Sequence, residues 1–137
     1  MGMTRAVTSL LLLACLACAG GPRPYAPYDI RLRSRADAVF ARVEAVTAPR
    51  AGWVVDDTDW HGRRLDAYRG LGEGMRDHLV FTVAEDGTTT IDIRTEILVG
   101  EGVWLGSDLV CATYSYQREA AFAQEVRATD EELVAAR

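Results

Sequence analysis

The chain has 137 residues, with 15 basic against 20 acidic side chains (net charge −5), 49% hydrophobic and 26% charged. That length holds one domain, and the apolar share is enough for a core, which excludes a wholly disordered chain. The acidic balance argues against nucleic-acid binding. Neither lysine nor asparagine occurs, a bias of GC-rich coding rather than of function.

The N-terminus reads as an address. Arg5 precedes the apolar run Ala6 to Ala17. One positive charge, a short apolar run and small residues at its end describe a secretory leader. The run falls short of the roughly 20 residues that span a bilayer. Leu12-Leu13-Ala14-Cys15 and Cys15-Leu16-Ala17-Cys18 each set a small residue before a cysteine. Both resemble the bacterial lipobox. The resemblance implies that residues 1–17 are a signal peptide, cut before a Cys18 that carries diacylglycerol and an acylated amine. Cys15, with Leu12 three positions before it, is the alternative. Several acyl chains make a stable anchor where one does not. No aspartate follows either cysteine, which by enteric-type sorting points to the outer membrane, facing the periplasm. Cleavage removes Arg5 and leaves the domain more acidic. An anionic membrane repels such a surface, so the lipid must do the anchoring.

Residues 18–33 then hold the lipidated cysteine, a Pro/Gly tether and a first short strand. Ala19 to Pro27 contains three of the four prolines and is stiff, extended chain. Tyr28, Ile30 and Leu32 alternate with polar residues, as in a strand. The domain proper spans 34–128. Ser34-Arg35-Ala36-Asp37 resembles a capping box. Ala36, Val39, Phe40, Val43 and Val46 repeat at helical spacing. This predicts a helix over 35–47, ended by Ala48-Pro49.

Gly52 to Val55 opens a strand, with Trp53 read as core. Asp56 to Gly62 is polar and turn-like. Arg63 to Tyr68 is a further strand, and Gly70 to Gly74 a glycine-rich loop. Leu79, Phe81 and Val83, then Ile91, Ile93, Ile97 and Val99, alternate on either side of Glu85-Asp86-Gly87. That is a strong hairpin signature. Val103-Trp104-Leu105 is a glycine-bracketed loop. A second helix follows from about 108 or later to 127, which Ser107 or Asp108 can cap, its core stripe Ala112, Tyr116, Ala120, Ala123 and Val126 beside Phe122. Residues 129–137 form an acidic C-terminal tail, frayed or a short helical extension. Short connections require antiparallel strands. The expected fold is α+β: an antiparallel sheet of four or five strands packed on one face by two helices.

Gly52-Trp53, Asp92-Ile93-Arg94-Thr95 and Leu105-Gly106-Ser107-Asp108 resemble pieces of a bacterial envelope domain family of unknown function, over about residues 35–127. The order of elements bears a more distant likeness to the repeated domains of BamC-type outer-membrane assembly lipoproteins. Both resemblances imply a non-catalytic envelope module. Neither carries a catalytic residue or a cofactor to this chain.

The residues themselves point the same way. Asp56, Asp57, Asp59 and His61 cluster in one polar stretch, and Asp57, Asp59 and His61 are the nearest approach to a metal site. They lack the spacing and further ligands of a dedicated one, so the expectation is a solvated acidic turn and no metal. There is no Gly-x-Ser-x-Gly elbow. His78 alternates with Leu79 and falls on the opposite strand face. Cys111 reads as a small buried hydrophobe. Trp60 and Trp104, on loops, are the candidate interaction residues.

The expected function is a membrane-anchored structural or protein-interaction module with an envelope protein as partner. The alternative is a binder of a lipid or small apolar ligand in a pocket between the sheet and the second helix. A metal-dependent enzyme ranks third. Metabolic labelling with a palmitate analogue checks the anchor. The wild type takes up label and the double Cys15→Ser/Cys18→Ser variant does not.

Overall fold

The computed structural model describes residues 27–106 and 112–137, with side chains from Ser115 onward in the second part. The leader, Cys15, Cys18, Ser107, Asp108 and Cys111 lie outside the described residues. In chain order come β1 (Tyr28–Arg31), helix α1 (Ala36–Arg42), β2 (Val54–Asp59), β3 (Arg64–Gly72), β4 (Met75–Val83), β5 (Thr88–Val99), β6 (Val103–Gly106) and helix α2 (Ala112–Ala135). Every strand pairing is antiparallel. The sheet order is β1-β5-β4-β3-β2, with β6 also on β5. β1 takes residues 88–91 of the outer β5 edge and β6 takes 96–99. This is the expected α+β fold, with one strand more than the four or five anticipated.

Alternation builds the core. Leu65, Ala67, Leu79, Phe81, Ile91 and Ile93 point to the helix side and are fully buried. Phe81 of β4 is where the layers meet. Its ring stacks on Phe40 of α1 at 6.4 Å and meets Phe122 of α2 edge-on at 6.0 Å. Trp53, 3% exposed, packs edge-on against Phe122 at 6.3 Å, so its assignment to the core is correct.

Several local expectations need correction. Val103-Trp104-Leu105 is not a loop but most of strand β6, paired to β5. The capping box does not form: Arg35 is the N-cap of α1 and makes no side-chain cap bond. Ser34 is drawn to Asp130, and Asp37 pairs with Arg63 at 3.0 Å. The helix also continues past Ala48-Pro49. Val43–Thr47 widens into a π-helical turn, in which Ala48 N–H bonds the Val43 carbonyl, and Ala48–Arg50 completes the helix. A proline lacks the N–H that a regular turn needs; the wider turn shifts the bonding register just ahead of it. Gly52, at φ +87°, then ends the element. Asp56 to Asp59 belongs to β2 rather than to a turn, with a register irregularity between Val55 and Asp57. Gly70 to Gly72 extends β3, leaving Glu73-Gly74 as the turn. Backbone pairing to β4 carries these residues whatever their side chains prefer.

The Asp86-Gly87 hairpin forms as expected. Gly87 has φ +86°, and a Cβ there would lie 2.9 Å from the Leu32 carbonyl oxygen, which accounts for glycine at this position.

The stripe that α2 buries differs from the apolar one. Ser115, Glu119, Phe122, Ala123, Val126, Thr129 and Asp130 face inward, while Tyr116 is 55% exposed. Apolar spacing passes over this face because half of it is polar. Those polar groups are buried because they are bonded. Glu119 Oε2 accepts the Ile93 N–H at 3.1 Å, and Thr129 Oγ1 meets Thr47 Oγ1 at 2.7 Å. The acidic tail is thus the last turns of α2 as far as Ala135.

Asp130 ties the two ends of the domain together. Its carboxylate accepts the backbone N–H of Arg33 at 2.9 Å and of Ser34 at 2.8 Å. Burial raises the Asp130 carboxyl, but the bonds from Arg33 and Ser34 outweigh it, and the net direction is down from the ordinary 3.8. A lowered folded-state value means stability that is present above 3.8 and lost as pH falls through the folded value. Asp130→Asn should therefore cost about 1–3 kcal/mol at neutral pH. In urea unfolding, its deficit against the wild type should shrink as pH drops below 3.8.

Candidate functional site: the open face of the sheet

Both helices lie on one face of the sheet, where the buried residues of β3, β4 and β5 point. Alternation sends the intervening residues to the other face. Cross-strand register there sets Tyr68 opposite His78, Arg76 opposite Glu96, His78 opposite Arg94, and Leu98 opposite Trp104. Asp66 lies one pair along from Tyr68 on β3.

These side chains form one connected layer. The Arg76 guanidinium lies 3.9 Å from the Tyr68 ring centroid and 4.1 Å from that of Trp104, bridging the two rings. Its Nε donates to Glu96 Oε2 at 2.6 Å. His78 stacks on Tyr68 with ring centroids 4.5 Å apart. His78 Nε2 is 2.9 Å from Asp66 Oδ1, and Nδ1 is 3.3 Å from Glu96 Oε1. Carboxylates only accept, so both contacts are bonding when each ring nitrogen carries a proton. Arg64 reaches Asp66 through Nε at 2.9 Å and Nη2 at 3.3 Å. That bond holds the Asp66 carboxyl below the ordinary carboxylate range, against burial, with His78 adding to it. Burial and the nearby Glu96 push the Tyr68 phenol up. Arg94 Nε donates to Asp92 at 3.1 Å on the same face.

The arrangement is a row of flat groups, His78, Tyr68, Arg76 and Trp104, bordered by carboxylates. It offers ring edges, a guanidinium and acceptors at fixed spacing. These are the groups that recognise a polar or aromatic partner surface.

The structure separates the two candidate tryptophans. Trp104 stands on β6, partly buried against Arg76 on the open face. Trp60 sits in the β2–β3 turn, at the other end of the sheet. It is 56% exposed and edge-on to Phe40, on the helix side. The Asp57, Asp59 and His61 set is not gathered either. Asp57 pairs across from Asp66, and Asp59 Oδ1 accepts the backbone N–H groups of His61 and Gly62, both at 3.0 Å. Among the described residues, no three His, Cys, Asp or Glu side chains come together as a metal-binding group. No described helix is long and apolar enough to cross a membrane.

Sequence reasoning missed Tyr68, Arg76 and Glu96 as a unit. The signal was available in the polar partners of each alternating strand, Arg64/Asp66/Tyr68, Arg76/His78 and Asp92/Arg94/Glu96. It also missed Asp77, which points to the helix side and is fully buried. There Arg118 Nη1 and Thr95 Oγ1 both donate to its Oδ1, and Arg69 Nη2 lies 3.5 Å from Oδ2. Arg69 in turn rests over the Trp53 ring at 4.3 Å.

A double-mutant cycle on Arg76→Ala and Trp104→Ala tests the layer. Urea unfolding should return a coupling of about 0.5–1.5 kcal/mol, the worth of a partly buried guanidinium–ring contact. The chain matches no protein-family model, no curated protein and no solved structure.

Proposed function

We propose that this chain is a lipid-anchored domain of the bacterial cell envelope, non-catalytic, that holds another envelope protein through the open face of its sheet. The observation that carries the reading is the Arg76 bridge between Tyr68 and Trp104, flanked by Glu96, His78 and Asp66. A guanidinium sandwiched by aromatics on a partly exposed sheet face has the chemistry of an interface anchor, where Trp, Tyr and Arg dominate binding energy. The leader and the lipobox-like cysteines supply the anchor and the periplasm-facing outer-membrane location in this reading. The proposal extends to cofactors: it requires none, since recognition here uses only side chains of the chain.

The alternative, an apolar ligand between sheet and α2, is less well supported. Phe81, Phe122, Leu79, Ile91, Ile93 and Val126 occupy that layer and pack on one another. A ligand would have to displace core side chains, at a cost of several kcal/mol.

Photo-crosslinking in intact envelopes tests the proposal. A crosslinker at Thr82 or Leu98, on the open face, should yield a discrete adduct with another envelope protein. One at Glu131, exposed on α2, should not. Arg76→Ala or Trp104→Ala should reduce the adduct at least tenfold, the effect of losing one anchor worth about 1.4 kcal/mol or more. Equal capture from both faces would refute the reading.

A further inference from the structure

The apolar side chains that this chain leaves exposed are not spread evenly. Among the described residues, Leu71, Met75, Leu98, Val99, Val103 and Leu105 are each 37–54% exposed and share one end of the sheet. Single exposed apolar residues need no explanation, whereas a contiguous patch does. Two turns close this end. The Leu98 N–H bonds the Gly74 carbonyl at 2.9 Å, which sets the β3–β4 turn beside the β5–β6 turn. The turns stand in open space, since a Cβ added at Gly72, Gly100 or Gly102 would meet nothing within 4 Å. The chain leaves β6 at Gly106, opposite Glu96, on the side away from this tip. α2 leads away from it too, from Ile93 toward Ser34.

The backbone of β1 points at the same end. It enters at Tyr28, opposite Ile91, and runs to Arg31, opposite Thr88. Traced backwards from Tyr28, it heads along β5 toward Val99. At strand rise Val99 lies about 27 Å beyond Ile91. Nine residues, Ala19 to Pro27, separate Cys18 from Tyr28 and can span at most about 30 Å. The reach of the tether therefore matches the distance from Tyr28 to the tip. With the strands upright, the tip comes down to the bilayer that holds a lipid on Cys18.

We propose that this end of the sheet inserts its aliphatic side chains into the surface of the bilayer that holds the chain's own lipid. The inference rests on the lipid-anchor part of the proposed function and adds a second contact with the same membrane. Val99 and Val103 form the outermost strand pair, and Leu98 and Trp104 the next. The valines enter first, and the indole follows at headgroup level, where tryptophan concentrates. Glu73 and Glu101 are exposed on the two turns. They bring negative charge to the contact, so the attraction is apolar and an anionic surface weakens it. A weak contact suffices, because the tether keeps the tip at high effective concentration. The pose turns the open face sideways, toward a neighbour in the same membrane.

Photo-crosslinking of the full lipidated chain in phosphatidylcholine vesicles tests this. A diazirine amino acid in place of Val99 or Met75 should give phospholipid adducts. One in place of Glu85, exposed on the β4–β5 turn at the opposite end, should give none above background. Val103→Glu should cut the Val99 adduct by about tenfold, the effect of losing one aliphatic transfer from water. Val103 is exposed, so circular dichroism should be unchanged. Adding phosphatidylglycerol to the vesicles should lower the adduct as well. Equal adducts at Val99 and Glu85 would overturn the proposal, as would adducts that rise with phosphatidylglycerol or persist undiminished in Val103→Glu. So would a Val99 probe that, in intact envelopes, captures a protein or a second copy of this chain in place of lipid. A chain that takes up no palmitate label would bring down the anchor and the tip contact together. A labelled chain without adducts at the tip would bring down the tip contact alone.

Discussion

The buried N–H of Ile93 constrains the whole layer arrangement. β5 is longer than either strand on its outer edge. β1 stops at Ile91 and β6 begins at Glu96, so residues 92–95 of that edge face no described strand. An unpaired buried N–H costs roughly 1–3 kcal/mol. Glu119 of α2 reaches it at 3.1 Å. The helix must therefore cross β5 at that point and at that rotation. Phe122, Ala123 and Val126 follow on the same face and seal the core over Phe81. About three turns further on, the same face delivers Asp130 to the turn between β1 and α1. Two carboxylates on one helix thus bond backbone donors of β5 and of the β1–α1 turn, and they fix α2 at two points about three turns apart.

How much of this was legible follows from the same physics. Strict alternation around Asp86-Gly87 marked β4 and β5, because a half-buried strand must separate apolar from polar side chains. Trp53 and the Phe40 stripe were legible for the same reason. The true face of α2 was not. A helix that buries Ser115, Glu119, Thr129 and Asp130 alongside Phe122 and Val126 has no clean apolar stripe, and Tyr116 drew the eye to the wrong side. Its polar residues are inside because distant backbone donors, at Ile93, Arg33 and Ser34, lie opposite them. No local pattern encodes that. The course of α1 past Pro49 was hidden likewise, since a π turn has no apolar signature of its own.

The candidate site was half legible for a related reason. Alternation assigned His78 to the face away from Leu79. It could not say that Tyr68, Arg76 and Trp104 stand together, because that depends on the register of β3, β4, β5 and β6. Trp104 and Trp60 looked equivalent as loop aromatics. In space one belongs to an organised layer of charged and aromatic groups, and the other packs beside Phe40 at the far end.

The two faces also differ in what their ion pairs can do. Asp77 is wholly desolvated beneath α2, with Arg118 and Thr95 on one oxygen and Arg69 near the other. Removing a partner from such a pair is costly, so it holds geometry and cannot be traded for a ligand. On the open face the side chains of Asp66, Arg76, His78 and Glu96 retain 16–25% exposure. They are desolvated enough for their mutual contacts to fix their positions, yet water still reaches them. A docking carboxylate or guanidinium can replace one of these contacts with another of similar strength, and the exchange leaves no charge buried alone. The sheet thus locks its charges on the helix side and keeps exchangeable ones on the other, which is the property the proposed docking requires of that face.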